Sequence, residues 1–202
     1  MRYTQFRAGL AGVLVVLAVA IVAASAYAAR TGSSPAAKSG KASTDVLRFD
    51  VAEDPKRFVF SKEPVDGDGL PAYGNYFVTQ GYLYPSGTLN GSDGVLKNGQ
   101  PEFPDKVVGE WTCWGAHVGE GAKTKTGPWV VSSQIYQLGP KHGARTIVTS
   151  GYELADVGEQ FKRAIVGGTG PYANARGDQL QTLLGFTKFQ SVKLRVSLRV
   201  DD

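Results

Sequence analysis

The sequence predicts an all-β fold of antiparallel strands, and three observations support this. Apolar and polar residues alternate with period two through residues 192–200, so one face of that segment is buried and the other solvated. The chain has 26 glycines, many of them in turn-like stretches between short apolar segments. After residue 30, no long stretch carries the apolar stripe of a helix. About seven to nine strands are expected, in a sandwich or a closed barrel, and closure is attractive because it removes exposed strand edges.

The N-terminal segment has the layout of a secretory signal peptide. Arg2 and Arg7 precede an uncharged apolar run over residues 8–29, and Ala26-Tyr27-Ala28 supplies the small residues of a cleavage site. Residues 1–28 are therefore predicted to be a cleaved signal, and an uncleaved membrane anchor formed by residues 8–29 is the alternative. Either form places the remainder of the chain outside the cytoplasm, as a secreted or a membrane-anchored protein.

The rest of the chain divides into a linker and one domain. Residues 29–44 have almost no apolar bulk and are predicted to be a flexible linker, which leaves residues 45–202 for the barrel. Removing residues 1–28 lowers the net charge from +4 to +2. This small net charge does not indicate a nucleic-acid-binding protein. The single cysteine, Cys113, cannot form an internal disulfide, so stability must come from the core.

The strands are delimited by clusters of glycine, proline and polar residues. Residues 71–84 are rich in aromatic residues but contain Gly74 and Gly81, which predicts a strongly bent strand or a bulged pair. Residues 85–105 form a loop long enough to be functional or disordered. The expected strands are residues 46–52, 71–84, 107–118, 128–138, 145–154, 161–166, 172–186 and 192–200.

The glycine-rich segment over residues 164–177 predicts a strand, a tight irregular turn and a second strand. Glycine adopts positive φ without a Cβ clash, and proline fixes its own φ. The spacing Gly168-x-Gly170-x-x-Ala173 imitates a dinucleotide-binding fingerprint, but that motif must open a helix, and no helical stripe follows. A structural turn is therefore favoured, formed by Gly167, Gly168, Gly170, Tyr172 and Gly177.

This segment also carries a resemblance to a known family. Residues 163–172, followed by Ala175-Arg176-Gly177-Asp178, resemble the (I/V)xGGTGxYxxARGx turn of allene oxide cyclase-like and dirigent-like barrels. Residues 109–115, with Pro128-Trp129-Val130-Val131 and Gln134-Ile135-Tyr136, match in order and spacing, so the resemblance covers roughly residues 45–190. It implies an eight-stranded antiparallel barrel, a dimer or trimer, with an apolar pocket at one mouth and no redox cofactor.

The resemblance singles out Asp50 as a candidate catalytic residue. Asp50 occupies the place of the acidic residue on the cyclases' first strand, but Ala52 replaces the asparagine that holds a water there. This departure argues against true allene oxide cyclase chemistry. A carboxyl group in a dry barrel would have a raised pKa and could polarise a substrate. The alternative is an aspartate with a purely structural role near a strand end.

Pocket walls are expected on two strands. Trp111, Cys113 and His117 share one face of the first of these strands, and Gln134 and Tyr136 share a face of the next. Alternation alone does not decide which face lines the barrel. The unpaired Cys113 is more typical of a small hydrophobic residue than of a nucleophile, and His117 is too far along the strand to be its partner base. Two histidines and one cysteine at unrelated spacings predict no metal site, and no cofactor motif is present.

These observations predict an exported barrel that binds an apolar or aromatic small molecule. Such a barrel can steer cyclisation or coupling stereochemistry by orienting the substrate in a dry cavity. Asp50 is then the expected polariser, and Trp111, Cys113, Gln134 and Tyr136 form the walls. The alternative is a non-catalytic carrier or a cell-surface interaction module on the same barrel.

Overall fold

The computed structural model describes residues 44–201. The predictions of a signal, an anchor and nearly all of the linker lie outside these residues. No helix within residues 44–201 is long and apolar enough to cross a membrane. The described chain contains nine strands: β1 Thr44–Glu53, β2 Val59–Phe60, β3 Tyr76–Pro85, β4 Gly109–His117, β5 Pro128–Leu138, β6 Thr146–Leu154, β7 Gln160–Thr169, β8 Arg176–Phe186 and β9 Val192–Asp201.

Eight of these strands close into an antiparallel barrel. From β3 to β9 each strand pairs with the next one along the chain, and β1 closes the ring by pairing with both β9 and β3. The two-residue β2 pairs with Val78 and Phe77 of β3, beyond the part of β3 that β1 covers. The predicted eight-stranded antiparallel barrel is therefore confirmed.

The strand expected at residues 71–84 begins later than predicted, at Tyr76. Residues 71–75 instead form a turn in which the buried Asn75 amide donates to the carbonyl oxygens of Ser61 and Pro64. Gly81 lies within β3, where a Cβ would come 2.2 Å from the Ala52 carbonyl oxygen. The glycine therefore permits the close approach of β1 rather than ending the strand.

The glycine-rich segment is the turn that the sequence predicts. β7 ends at Thr169, a 3-10 turn spans Gly170–Tyr172, and β8 begins at Arg176, so the segment leads into a strand and not into a helix. Gly170 has φ +61°, and a Cβ there would come 2.0 Å from the Ala144 carbonyl oxygen. Both the backbone angle and the close contact require glycine at this position.

Side chains divide between the barrel interior and a second cluster outside it. The interior contains alternate residues of every barrel strand, with Trp111 and Tyr136 among the largest fully buried side chains. The long loop expected at residues 85–105 packs against the outer face of β1 and β3, where Leu89 and Val95 cover Ala52 and Tyr84. Part of β1 is thus buried on both faces.

Candidate functional site

The barrel contains a pocket at the mouth where β1, β4, β6 and β8 end and β3, β5 and β9 begin. It has a volume of about 300 Å³, which suits one small ligand. Side chains from eight strands reach it, namely β1 to β6, β8 and β9, and residues of the connecting segments complete its rim. The lining residues are Glu53, Pro55, Phe58, Phe60, Leu70, Pro71, Phe77, Thr79, Trp111, Cys113, His117, Ala122, Trp129, Glu153, Phe186, Phe189, Gln190, Ser191 and Val192.

An arc of aromatic rings forms one wall of this pocket. The ring centroids of Phe58 and Phe77 lie 6.1 Å apart, and those of Phe77 and His117 lie 5.2 Å apart. The arc continues from His117 to Trp129 at 6.2 Å and from Trp129 to Phe186 at 6.0 Å. Several of these contacts are edge-to-face, the arrangement that aromatic quadrupoles favour. The wall can therefore receive a flat apolar or aromatic ligand.

Two glutamates supply the polar end of the pocket. Glu53 ends β1, and its carboxylate accepts hydrogen bonds from the Thr79 hydroxyl at 2.7 Å and from the Val192 backbone N–H at 2.7 Å. Glu153 lies near the end of β6 and accepts from Ser132, from the Gln181 amide at 2.8 Å and from the Cys113 thiol at 3.4 Å. Each carboxylate is thus held in place by bonds from neighbouring strands.

Burial raises the pKa of the Glu53 carboxyl group. Desolvation raises the pKa of Glu53 from its ordinary value of 4.5 to about 7, and the negative charges of Glu153 and Asp54 add to this rise. The bonds from Thr79 and Val192 oppose it but do not cancel it. A carboxyl group with this pKa exchanges protons readily near neutral pH, which is the property of a general acid or base.

His117 and Cys113, which also line the pocket, are held in their neutral forms. Burial lowers the pKa of His117, whose Nδ1 contacts the Asn75 carbonyl oxygen at 3.2 Å. Burial and the nearby Glu153 raise the pKa of the Cys113 thiol well above its ordinary value. Since the thiolate is the reactive form, Cys113 acts as an apolar wall and a weak donor rather than a nucleophile.

Two buried indole donors at this end of the barrel, those of Trp111 and Trp129, have no hydrogen-bond partner among the described residues. The indole N–H of Trp111 makes no hydrogen bond within the described residues, although the side chain is only 1% exposed. An unpaired buried donor costs free energy, so a ligand with an acceptor atom near Trp111 would recover that cost. Within the described residues, the pocket therefore offers acceptors at its two carboxylates and donors at two unpaired indoles.

The structure brings together only part of the predicted site. Trp111 and Cys113 line the pocket, as expected from the sequence. Gln134 and Tyr136 also point into the barrel, but they lie deeper, in a buried network where the Tyr136 hydroxyl donates to the Gln134 amide oxygen and Gln179 donates to that oxygen at 3.1 Å. They support the floor and do not line the pocket.

The expectation for Asp50 is corrected by its position on β1. Strand alternation turns Val51 and Glu53 inward, so Asp50 faces outward and lies under the loop that follows β3. Both of its carboxylate oxygens bind the Arg195 guanidinium, at 2.8 and 3.0 Å, and one also accepts from the Gly87 and Leu89 backbone N–H groups. Asp50 therefore faces away from the pocket, and its carboxylate joins β1 to β9 and to the loop that follows β3.

Sequence reasoning did not identify the two glutamates of the pocket. Glu53 lies three residues after Asp50, and Glu153 lies near the end of a predicted strand. Had the inward face of β1 been known, the period-two pattern would have selected Glu53 instead of Asp50. The described residues 44–201 contain no group of three or more histidine, cysteine, aspartate or glutamate side chains placed to hold a metal ion.

Comparison with known proteins gives a fold but no sequence family. No protein-family model and no curated protein matches the sequence. The solved pterocarpan synthase dirigent protein PsPTS1 matches with a TM-score of 0.55 at 17% identity, over 79% of this chain and 95% of that one. The pterocarpan synthase dirigent protein GePTS1 matches with a TM-score of 0.53 at 18% identity, over 86% and 98%.

An exo-specific intermolecular Diels-Alderase also matches, with a TM-score of 0.48 at 16% identity, over 79% of this chain and 99% of that one. The strand topology and the two dirigent matches show that the chain has the dirigent-like barrel fold that the sequence predicts.

Proposed function

We propose that this barrel binds one apolar, aromatic small molecule at its mouth and steers its ring closure or coupling. The observation that carries the proposal is the aromatic-walled pocket of about 300 Å³ with the buried Glu53 carboxyl group at its polar end. The wall would hold the substrate in one folded conformation, and this orientation alone can lower a barrier substantially. No nucleophile is needed for such a reaction.

Glu53 would contribute acid–base chemistry to that reaction. With a pKa of about 7, the carboxyl group can donate a proton to a developing oxyanion or take one from a phenol at neutral pH. It replaces Asp50 in the role of polariser. The Trp111 N–H would serve as a second donor to an oxygen atom of the substrate.

Two further observations support this proposal. Two neighbours with TM-scores above 0.5 are named as pterocarpan synthase dirigent proteins, so this fold occurs among proteins named as synthases of a small molecule. The signal-like sequence of residues 1–28 supports export, and the substrate would then be one that the protein meets outside the cytoplasm.

A non-catalytic carrier on the same barrel is the second candidate function. Both oxygens of the Glu53 carboxylate already accept a hydrogen bond, and the Cys113 thiol is unreactive. A pocket in which the Glu53 carboxylate is already engaged suits retention of a ligand as well as its conversion. Turnover of a bound ligand by the purified protein distinguishes the carrier from the steering barrel.

The proposal is tested first by binding. Native mass spectrometry of the protein purified from its own host is expected to show a retained ligand of small-molecule mass. The Trp114→Phe variant leaves Trp111 and Trp129 as pocket reporters, so aromatic ligands are expected to change its tryptophan fluorescence. Ala122→Phe, at the pocket rim, is expected to weaken that response at least about tenfold by occupying the volume a ligand needs.

A matched control is available on the outer face of the barrel. Ala116 lies on β4 opposite the exposed Tyr76 and Val131, and Ala116→Phe adds the same bulk away from the pocket. This variant should bind as the parent does. Equal binding by Ala116→Phe and Ala122→Phe, with no ligand retained from the host, would reject the pocket as a small-molecule site.

A further inference from the structure

The charged side chains that line the pocket are acidic. Among residues 44–201, those that line it include two glutamates and one histidine but neither a lysine nor an arginine. Because burial lowers the pKa of His117, the imidazole is neutral at pH 7 and adds no positive charge. Within the described chain, every formal charge that the pocket wall can carry at this pH is therefore negative.

The nearest cation inside the barrel is screened from the pocket. Arg163 forms an ion pair with Glu153 at 3.7 Å, but its side chain is 0% exposed. Its guanidinium donates to the carbonyl oxygens of Gly151, Tyr152 and Ser132 at 2.8 to 3.1 Å. These bonds direct the charge into the barrel wall, so Arg163 steadies Glu153 and cannot receive an anionic ligand.

The aromatic arc has the same electrostatic preference as the two carboxylates. The faces of aromatic rings carry negative potential and attract cations, most strongly in sites that exclude water. Phe77, Trp129 and Phe186 present such rings beside the polar end, and Glu53 has an unfilled lone pair on each oxygen after its two hydrogen bonds. A carboxylate ligand would meet like charges here, with no cation to compensate it.

We propose that the pocket selects aromatic molecules that carry a protonated amine and rejects those that carry a carboxylate. This inference rests on the proposed small-molecule site and assigns its ligand class. The ammonium group would lie against Glu53, and the aromatic part would lie along the arc. The same arrangement would favour a cationic intermediate that forms on a bound substrate.

The charge of Glu53 makes this selection depend on pH. The groups that face Glu53 are Thr79 on β3, the Val192 N–H on β9, Glu153 on β6 and the adjacent Asp54, with Arg163 paired to Glu153 from β7. Cys113 and His117 on β4 complete the site and are neutral at pH 7. Since the ionised carboxylate attracts the ammonium group, amine binding should strengthen as pH rises from 6 to 8.

The test uses three probes that share one scaffold: 2-naphthylmethylamine, 2-naphthylmethanol and 2-naphthoic acid. Their dissociation constants are measured by tryptophan fluorescence and calorimetry on the Trp114→Phe protein at pH 6 and pH 8. At pH 8 the amine is expected to bind at least about tenfold more tightly than the acid, with the alcohol between them. The amine should lose up to about tenfold in affinity at pH 6, where Glu53 is protonated.

Glu53→Gln removes the charge and keeps the shape. In this variant, amine and alcohol are expected to bind equally and without pH dependence, whereas Glu110→Gln on the outer part of β4 should leave all constants unchanged. If Glu53→Gln does not fold, the pH dependence of the parent protein decides alone. Equal binding of all three probes, or tightest binding of the acid, would overturn the proposed selection by charge. The proposal that the pocket binds aromatic small molecules would be retained. Failure of both amine and alcohol to bind would overturn the site and the selection together.

Discussion

Two acidic residues on one strand show how the environment of a buried carboxylate decides its role. Asp50 and Glu53 both lie on β1, and each is 5% exposed or less. Asp50 faces outward, where Arg195 binds both of its oxygens and two backbone N–H groups add to the bonding. Glu53 faces inward, where it has two neutral donors and two acidic neighbours but no bound cation among the described residues.

Asp50 and Glu53 are buried to a similar extent, and they differ in whether a cation compensates the charge of the carboxylate. The hydrogen bonds that Arg195 donates to Asp50 raise the pKa of the guanidinium and tie β1 to β9, and Arg195 also donates to Asn90 of the loop that covers them. Glu53 lacks such compensation, so burial raises its pKa to about 7. The Asp50–Arg195 pair stabilises the fold. The Glu53 carboxyl group can instead gain or lose a proton near neutral pH.

The largest effect is expected when the outward pair is broken. Asp50→Ala leaves the Arg195 guanidinium and the Gly87 and Leu89 N–H groups without their acceptor, which should lower the free energy of unfolding by about 4 kcal/mol. Binding of 2-naphthylmethanol by the folded fraction should not change, because Asp50 does not reach the pocket. Guanidinium denaturation and probe fluorescence measure the two effects separately.

Asp45→Ala is the control, since Asp45 lies on the same strand and is exposed. It should change the unfolding free energy by less than about 0.5 kcal/mol. An Asp50→Ala protein that kept its stability but lost probe binding or turnover would restore Asp50 as a site residue and remove the contrast with Glu53.

The inward carboxyl group should be visible in the pH dependence of stability. The folded pKa of Glu53 is about 7 and its ordinary value is 4.5, so the folded state holds this proton more tightly. The stabilisation that protonated Glu53 contributes to the free energy of unfolding is therefore complete at low pH and is lost as pH rises through about 7. Relative to Glu53→Gln, the parent protein should lose about 3 kcal/mol of unfolding free energy between pH 4.5 and pH 8.

The measurement is a series of denaturation curves for both proteins across that range. Taking the difference between them cancels the other carboxyl groups. If the difference did not vary with pH, Glu53 would have the same acidity in the folded and unfolded states. Glu53 and Asp50 would then differ in orientation alone.

The sequence predicted the barrel well because barrel strands follow local patterns. The alternation through residues 192–200 and the glycine segment over residues 164–177 report burial and backbone geometry directly, and both recur in the structure. Strand β3 was placed less well, since Asn75 holds residues 71–75 in a turn through bonds to the distant Ser61 and Pro64. Such nonlocal bonds leave no periodic signal.

The site was predicted less well because alternation does not tell inside from outside when both faces of a strand are buried. The loop after β3 covers the outer face of β1, so residues 50–53 are all buried and their pattern is lost. Trp111 and Cys113 lie in a segment that the family resemblance covers, and in the structure β4 keeps its alternation with both side chains buried. Glu153 shares its face of β6 with the buried Ile147 and Thr149, and the sequence of the strand does not say that this face is the inward one.

The smallest predicted effect tests what sets the acidity of Glu53. The Thr79 hydroxyl donates to Glu53 at 2.7 Å and stabilises the ionised form, so Thr79→Val, which keeps the shape, should raise the pKa of Glu53 above 7 by about one unit. A carbon-13 NMR titration of the glutamate carboxyl groups measures this shift. Thr112→Val, on the outer face of β4, is the control and should leave the titration unchanged. A fall in the Glu53 pKa in Thr79→Val would mean that water had entered the site. The exclusion of water from the pocket, rather than hydrogen bonding, would then account for the difference in pKa between Glu53 and a solvated carboxylate.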